Sequence, residues 1–172
     1  MRDLKMIHTA RLTLHFCTAD HLARLIEGAE SFQAAYGWPV MEGYLEFPEA
    51  LPWMLANLEK HPAPWGSYLY IHRHDHTLLG MGGYKGAPDA VGMVEIGYGV
   101  AHAYRNQGYA SEAARALLDY AFTHPEVQRV WAHTLPEVNY STKVLEKCGM
   151  HCLGSIHDDE EGEVWRWAIR RP

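Results

Sequence analysis

Apolar and polar positions alternate from Met93 to Val100. Val94, Ile96, Tyr98 and Val100 share one face, and Met93, Glu95, Gly97 and Gly99 share the other, which predicts a strand. From Ala110 the period lengthens to that of a helix, with Ala110, Ala113, Ala114, Leu117, Leu118 and Ala121 on one side. Ser111, Glu112, Arg115 and Asp119 take the opposite side. The two periods meet at Arg105-Asn106-Gln107-Gly108-Tyr109-Ala110.

The rest of the chain is read by the same signals. Leu12, Leu14 and Phe16 alternate with Arg11, Thr13 and His15 in a first strand, and Thr18 or Asp20 can cap a helix running to about Glu30. Residues Glu30 to Glu49 show no period and are rich in rings (Phe32, Tyr36, Trp38, Tyr44, Phe47). A second helix is expected from Pro48 to Lys60. Ser67 to Tyr84 reads as a hairpin turning near Asp75-His76, and Val127 to Thr134 as a further strand. Pro136 to Met150 reads as a short helix opened by a polar residue and closed by Gly149. His151–Ile156 and Glu163–Ile169 read as a closing hairpin around the acidic tip Asp158 to Gly162, most simply a solvated turn.

The junction at Arg105 to Ala110 suits an anion. The first amides of a helix lack partners within it, and the helix dipole puts partial positive charge there. Gly108 lets a phosphate approach the backbone, and Arg105 adds a formal charge. No Lys-Ser/Thr pair follows Gly108, as a Walker loop requires, and Gly97-Tyr98-Gly99 lacks the third glycine of a dinucleotide fingerprint. Glu95 stands beside two glycines on a strand face, an unusual way to build a core and a reasonable way to line a cleft.

Arg105, Gly108 and Ala110 match the pyrophosphate-loop signature of the GNAT superfamily of acyl-CoA-dependent N-acetyltransferases, and the chain resembles that family. Ser141 with Val144-Leu145-Glu146-Lys147-Cys148-Gly149-Met150 resembles its second motif. Arg11-Leu12-Thr13-Leu14-His15 looks like the opening of its Rim-type branch, which acetylates ribosomal-protein N-termini. The resemblance implies a mixed α/β fold, a mostly antiparallel twisted sheet of about six to seven strands flanked by about four helices. It also implies acetyl-CoA as cosubstrate, held by Val100, Arg105, Gln107, Gly108, Tyr109, Ala110 and Asn139. Asn139 stands one residue closer to Ser141 than the family's usual asparagine, and Leu145 occupies the place of a tyrosine that some members use as the acid. Glu95 is then expected as general base. Ser141, or Tyr140, is expected at the departing thiolate, and Tyr36, Trp38 and Tyr44, with the nearby Glu42, Glu46 and Glu49, around a primary amine, either small or a peptide N-terminus. A non-catalytic acyl-CoA-binding module is the alternative.

Composition bounds these readings. At 172 residues with 48% hydrophobic and 21% charged content, one domain over residues 1–172 is expected, with a core of its own. The net charge of −6 disfavours nucleic acid as a partner. Three cysteines at irregular spacing suggest reduced thiols in a cytoplasm, and the charged start shows neither a signal peptide nor a membrane span. His72, His74 and His76 share a strand face without a completing carboxylate or cysteine, so no metal is expected. Nothing in the chain excludes a homodimer.

Overall fold

The computed structural model describes residues 6–172; the first five residues of the charged start lie outside it. Eight strands form one sheet: β1 (Met6–His8), β2 (Leu12–Phe16), β3 (Ser67–His72), β4 (Leu78–Tyr84), β5 (Met93–Val100), β6 (Arg129–Thr134), β7 (His151–Asp158) and β8 (Gly162–Arg170). Their order across the sheet is β1-β2-β3-β4-β5-β6-β8-β7. Every neighbouring pair is antiparallel except β5 and β6. A parallel pair needs a crossover, and the helix α4 (Tyr109–Phe122) supplies it. The other helices are α1 (Ala19–Glu27), α2 (Ala29–Tyr36), α3 (Leu51–Ala56) and α5 (Tyr140–Lys147). The α/β class and GNAT-type arrangement agree with the expectation; the strand number is one or two higher.

Two differences from the sequence reading have local causes. The helix expected to run through Glu30 stops at Glu27, because Gly28 sits at φ 132, a conformation no helix contains. A separate helix, α2, then occupies part of the supposedly irregular ring-rich stretch. The helix expected over Pro48–Lys60 is broken into a 3-10 turn, the six residues of α3 and a second 3-10 turn. Pro52 lies in the first turn of α3, where a missing amide is harmless, and Asn57 ends it with its backbone N–H bonded to Trp53 O and Leu55 O.

The alternation along each strand divides the core in two. Tyr68, Tyr70, Leu79, Val94, Ile96 and Val100 face Ala110, Ala113, Ala114 and Leu117 of α4. Leu69, Ile71, Leu78 and Met81 face the other way, against Leu22, Leu25, Phe32 and Leu51 from α1–α3. Glu95, Gly97 and Gly99 therefore lie on the α1–α3 side of the sheet but beyond the strands those helices cover.

Candidate active site

The sheet opens where β5 and β6 part. Their ladder pairs Met93, Val94 and Glu95 with Arg129, Val130 and Trp131 and then stops, although β5 continues to Val100 and β6 to Thr134. Beyond Glu95, among the described residues, β5 pairs only with β4 and β6 only with β8. The carbonyl of Glu95 accepts from Lys85 N, and those of Gly97 and Gly99 lean against Gly82 and Gly80 of β4. Peptide groups alternate in direction along a strand, so those of Tyr98 and Val100 turn toward the opening, ready to pair with an extended ligand. A side chain added at Gly97 or Gly99 would meet nothing nearer than 3.7 Å, so this face of the strand is open.

Glu95 lies at the apex of the opening. Its Oε1 accepts from Lys85 Nζ at 2.9 Å and from His133 Nδ1 at 2.7 Å. Arg166 Nε donates to His133 Nε2 at 3.0 Å, and since an arginine N–H can only donate, the His133 proton resides on Nδ1 and points at Glu95. Arg166 in turn lies 3.8 Å over the ring of Trp131. Burial alone would raise the Glu95 carboxyl, but Lys85 and His133 outweigh it and hold it below the usual glutamate range. Lys85 is held above its ordinary value: burial opposes its charge, and Glu95, Glu161 and Asp158 more than compensate. Sequence reasoning missed Lys85, His133 and Arg166. Their only signal was that His133 and Trp131 alternate onto the non-core face of β6.

The second part of the site is the junction before α4. Gly108 is the N-cap at φ 83, in the left-handed region, and a Cβ there would come within 3.2 Å of Arg11 Nη2. A cavity of about 170 Å³ lies against this turn, lined by Asn106, Gly108, Ala110, Ser111, Tyr140, Lys143, Val144 and Lys147. Arg105 reaches over the Tyr140 ring at 5.3 Å; its Nε is buried without a partner, and among the described residues it pairs with no carboxylate. Free helix amides, an unneutralised guanidinium and two lysines one turn apart suit a multiply charged anion.

Arg11, far away in sequence, braces this loop from below. Its Nη1 donates to Gln107 O at 2.8 Å, its Nε to Glu112 Oε2 at 2.7 Å, and its guanidinium lies 4.1 Å over Tyr109. Thr9 Oγ1 and Arg11 N both donate to Glu112 Oε1, at 2.6 and 2.7 Å. The charge of Glu112, in the first turn of α4, is thereby paired with Arg11. Burial would raise its carboxyl, yet Thr9 and Arg11 hold it low. Nothing in the local pattern pointed to Arg11 or Glu112 in this capacity.

The remaining expected residues are placed as follows. Val100 and Ala110 are buried, and the Tyr109 side chain is turned inward with its hydroxyl 3.1 Å from His72 Nε2, so these three can offer a ligand only backbone. Gln107 Nε2 donates to Ala103 O at 2.9 Å. Asn139 is the N-cap of α5: its Oδ1 accepts from Thr142 N at 3.1 Å, while Thr142 Oγ1 accepts from Asn139 N. Ser141 is anchored from β5, its carbonyl accepting from Tyr98 Oη at 2.8 Å, and Tyr140 precedes it beside Arg105. Tyr36 and Trp38 stack on each other at 5.4 Å and against His21 and Phe32, and the Tyr36 hydroxyl donates to Asp20. Tyr44 packs on the same core, while Glu42, Glu46 and Glu49 are exposed. In the hairpin, His72 is committed to Tyr109 and Asp75, and among the described residues no group of three metal-ligating side chains converges.

A second cavity, of about 370 Å³, lies on the α1–α3 side and reaches Lys85. Leu22, Trp53, Met54, Leu58 and Tyr84 form its apolar wall; Cys17, His61, Ser67, Lys85 and Glu160 complete it. None of Tyr36, Trp38 and Tyr44 lines it. Phe32 is buried, Tyr36, Trp38 and Tyr44 pack partly buried against the same cluster, Phe47 is exposed, and the cavity lining comes largely from α3, the turn after it and the ends of β3 and β4.

Comparison with known proteins agrees with this architecture. The family model of the acetyltransferase (GNAT) domain matches residues 11–151. The uncharacterized N-acetyltransferase YjdG of Bacillus subtilis is 32% identical over 124 residues, 71% of each chain. Two solved structures share the fold: a GNAT-family acetyltransferase from Bacillus anthracis (TM-score 0.67, 24% identity, covering 96% of this chain and 98% of that one), and RimL, a ribosomal L7/L12 alpha-N-protein acetyltransferase in complex with coenzyme A (TM-score 0.71, 16% identity, 96% and 97%). With the parted β5 and β6, the glycine-capped α4 and the match over most of its length, this chain belongs to the GNAT acetyltransferase family and is an acyltransferase.

Proposed function

We propose that the protein transfers an acetyl group from acetyl-CoA to a primary amine by direct attack, with Glu95 receiving the amine's proton. The observation that carries this reading is the Glu95 carboxylate, ionised and pinned by Lys85 and His133 at the apex of the opening. Acetyl-CoA supplies an acetyl group activated as a thioester. Arg105, the amides of Gly108, Tyr109, Ala110 and Ser111, and Lys143 and Lys147 bind its diphosphate, and the Tyr98 and Val100 peptide groups hold its arm. RimL, solved with coenzyme A, and a neighbouring structure with acetyl-CoA and AMP support the choice of ligand.

A carboxylate held low is a weak base for a free ammonium. An amine nitrogen that is bonding to a carbonyl carbon is far more acidic, however, and Glu95 is suited to accept that proton as the C–N bond forms and the C–S bond breaks. A second proton must reach the sulfur. Ser141 and Tyr140, in the first turn of α5, are the candidate hydroxyls, and burial pushes the Tyr140 phenol up, keeping it protonated. Leu145, fully buried, has no part in this.

Thiol release from acetyl-CoA across small amines and N-terminal peptides tests the reaction. Glu95→Gln should lower turnover roughly a hundredfold or more with CoA binding intact. That loss should shrink at high pH, where hydroxide can take the proton of the attacking nitrogen in place of Glu95; an unchanged pH–rate profile removes Glu95 from the mechanism. CoA binding without thiol release from any amine would favour the non-catalytic reading, toward which the absence of a tyrosine at Leu145 points.

A further inference from the structure

The cavity beside Lys85 carries information about the acceptor that the reaction alone does not. Its volume, about 370 Å³, is that of a small-ligand site. Lys85 links it to the chemistry, lining the cavity with its stem while its Nζ bonds Glu95 Oε1 at 2.9 Å. The walls are apolar: Leu22 from α1, Trp53 and Met54 from α3, Leu58 from the turn after it, and Tyr84 from the end of β4. Trp53 is 63% exposed although it lines a cavity, so its indole is a large apolar surface that the fold itself leaves uncovered. The charges are one-sided. Lys85 is already paired with Glu95, while Glu160 lines the cavity and Asp158 and Glu161 of the same hairpin tip act on Lys85. The tip read from sequence as a solvated turn is thus part of the site's rim.

We propose that the acceptor is a cationic amine bearing a bulky apolar or aromatic substituent, which Trp53, Met54, Leu58 and Leu22 receive while Glu160 and its neighbours draw in the ammonium. Small acceptors such as glycine-like amines leave the apolar wall wet, and acidic acceptors meet the carboxylates of the tip. This rests on the amine-acetylation reading above, because it takes Glu95 as the point to which the nitrogen is delivered. Apolar selectivity of this kind grows with each buried methylene, whereas the charge preference falls with salt.

The test uses the full chain and two independent readouts. In acetylation, peptides beginning with Phe or Leu should exceed otherwise identical peptides beginning with Gly by at least about tenfold in kcat/KM, as expected for several buried methylenes. Trp53→Ala should remove most of that advantage, lowering kcat/KM for the Phe and Leu peptides at least about tenfold more than for the Gly peptide, with the KM for acetyl-CoA unmoved. In calorimetry with CoA present, hexylamine should bind wild type at least about tenfold more tightly than ethylamine, and Trp53→Ala should equalise them. The binding arm needs no turnover. If no amine is acetylated but hexylamine is still preferred, the pocket stands and the reaction assignment fails. Acetylation of all peptides alike, with equal binding of the two amines, overturns the pocket and leaves the reaction intact. Trp53 is exposed, so its replacement should leave the melting temperature unchanged; a collapse would make it a core residue and overturn its role here.

Discussion

At the scale of single residues, burial is set against designed pairing. Glu95 and Glu112 are both partly buried carboxylates, which desolvation would neutralise, and both are held ionised by a specific cation and further donors. The consequence for stability has a definite sign. Each folded-state value lies below the ordinary one near 4.5, so each contributes stability present above that value and lost as pH falls through the lowered one. Glu112→Gln is expected to destabilise the protein at neutral pH by ~1–3 kcal/mol, the usual cost of breaking hydrogen bonds to a partly buried charge. The gap in melting temperature between variant and wild type should close as pH is lowered into the carboxylate range; a gap that stays constant would show that Glu112 is not held low. Arg11→Lys retains the charge but not the fork that joins Gln107 O, Glu112 and the Tyr109 face. It should raise the KM for acetyl-CoA several-fold with the acceptor KM unmoved.

At the scale of elements, the turn into α4 depends on one backbone conformation. Gly108 occupies φ 83 and lies 3.2 Å from Arg11 as a would-be Cβ, so a β-branched residue is strained there and crowds the brace. Gly108→Val should abolish CoA binding by calorimetry while the far-ultraviolet spectrum still shows the helices; wild-type affinity would refute the assignment of this loop. The ring-rich segment answers to a different experiment. Trp38 stacks on Tyr36 and lies 4.6 Å from His15 and 6.1 Å from both Phe32 and His21. Trp38→Ala should therefore lower stability by ~3–5 kcal/mol if it behaves as a core aromatic. An unchanged melting temperature with a raised acceptor KM would instead restore Trp38 to the substrate site.

At the scale of the whole molecule, the parted strands leave backbone groups of Tyr98 and Val100 without a ladder partner among the described residues. A ligand that fills the opening binds only the native state. At a hundred times its dissociation constant it should add about 2.7 kcal/mol, or roughly 5–10 °C in melting temperature for a chain of this size. Pantetheine and other truncated analogues that lack the diphosphate should stabilise far less if Arg105, Lys143, Lys147 and the first amides of α4 act on its charge, as proposed. No helix among the described residues is long and apolar enough to cross a membrane.

Local chemistry made much of this legible in one dimension. The period-two run of β5, the switch to a helical period at α4, the glycine between them and the carboxylate among glycines all depend on near neighbours, so the chain spells them out directly. The closure of α5 near Gly149 belongs to the same class; that Asn139 is the polar residue that caps it came from the structure. What required the tertiary structure was everything joined by distant segments. Arg11 and Gln107, Lys85 and Glu95, His133 and Arg166 meet only because sheet order brings their strands together. The side on which α1–α3 pack decided that Tyr36 and Trp38 would pack against Phe32 and that Trp53 would line a cavity. Periodicity records which face of an element is buried, but not what it is buried against; that is settled by long-range packing.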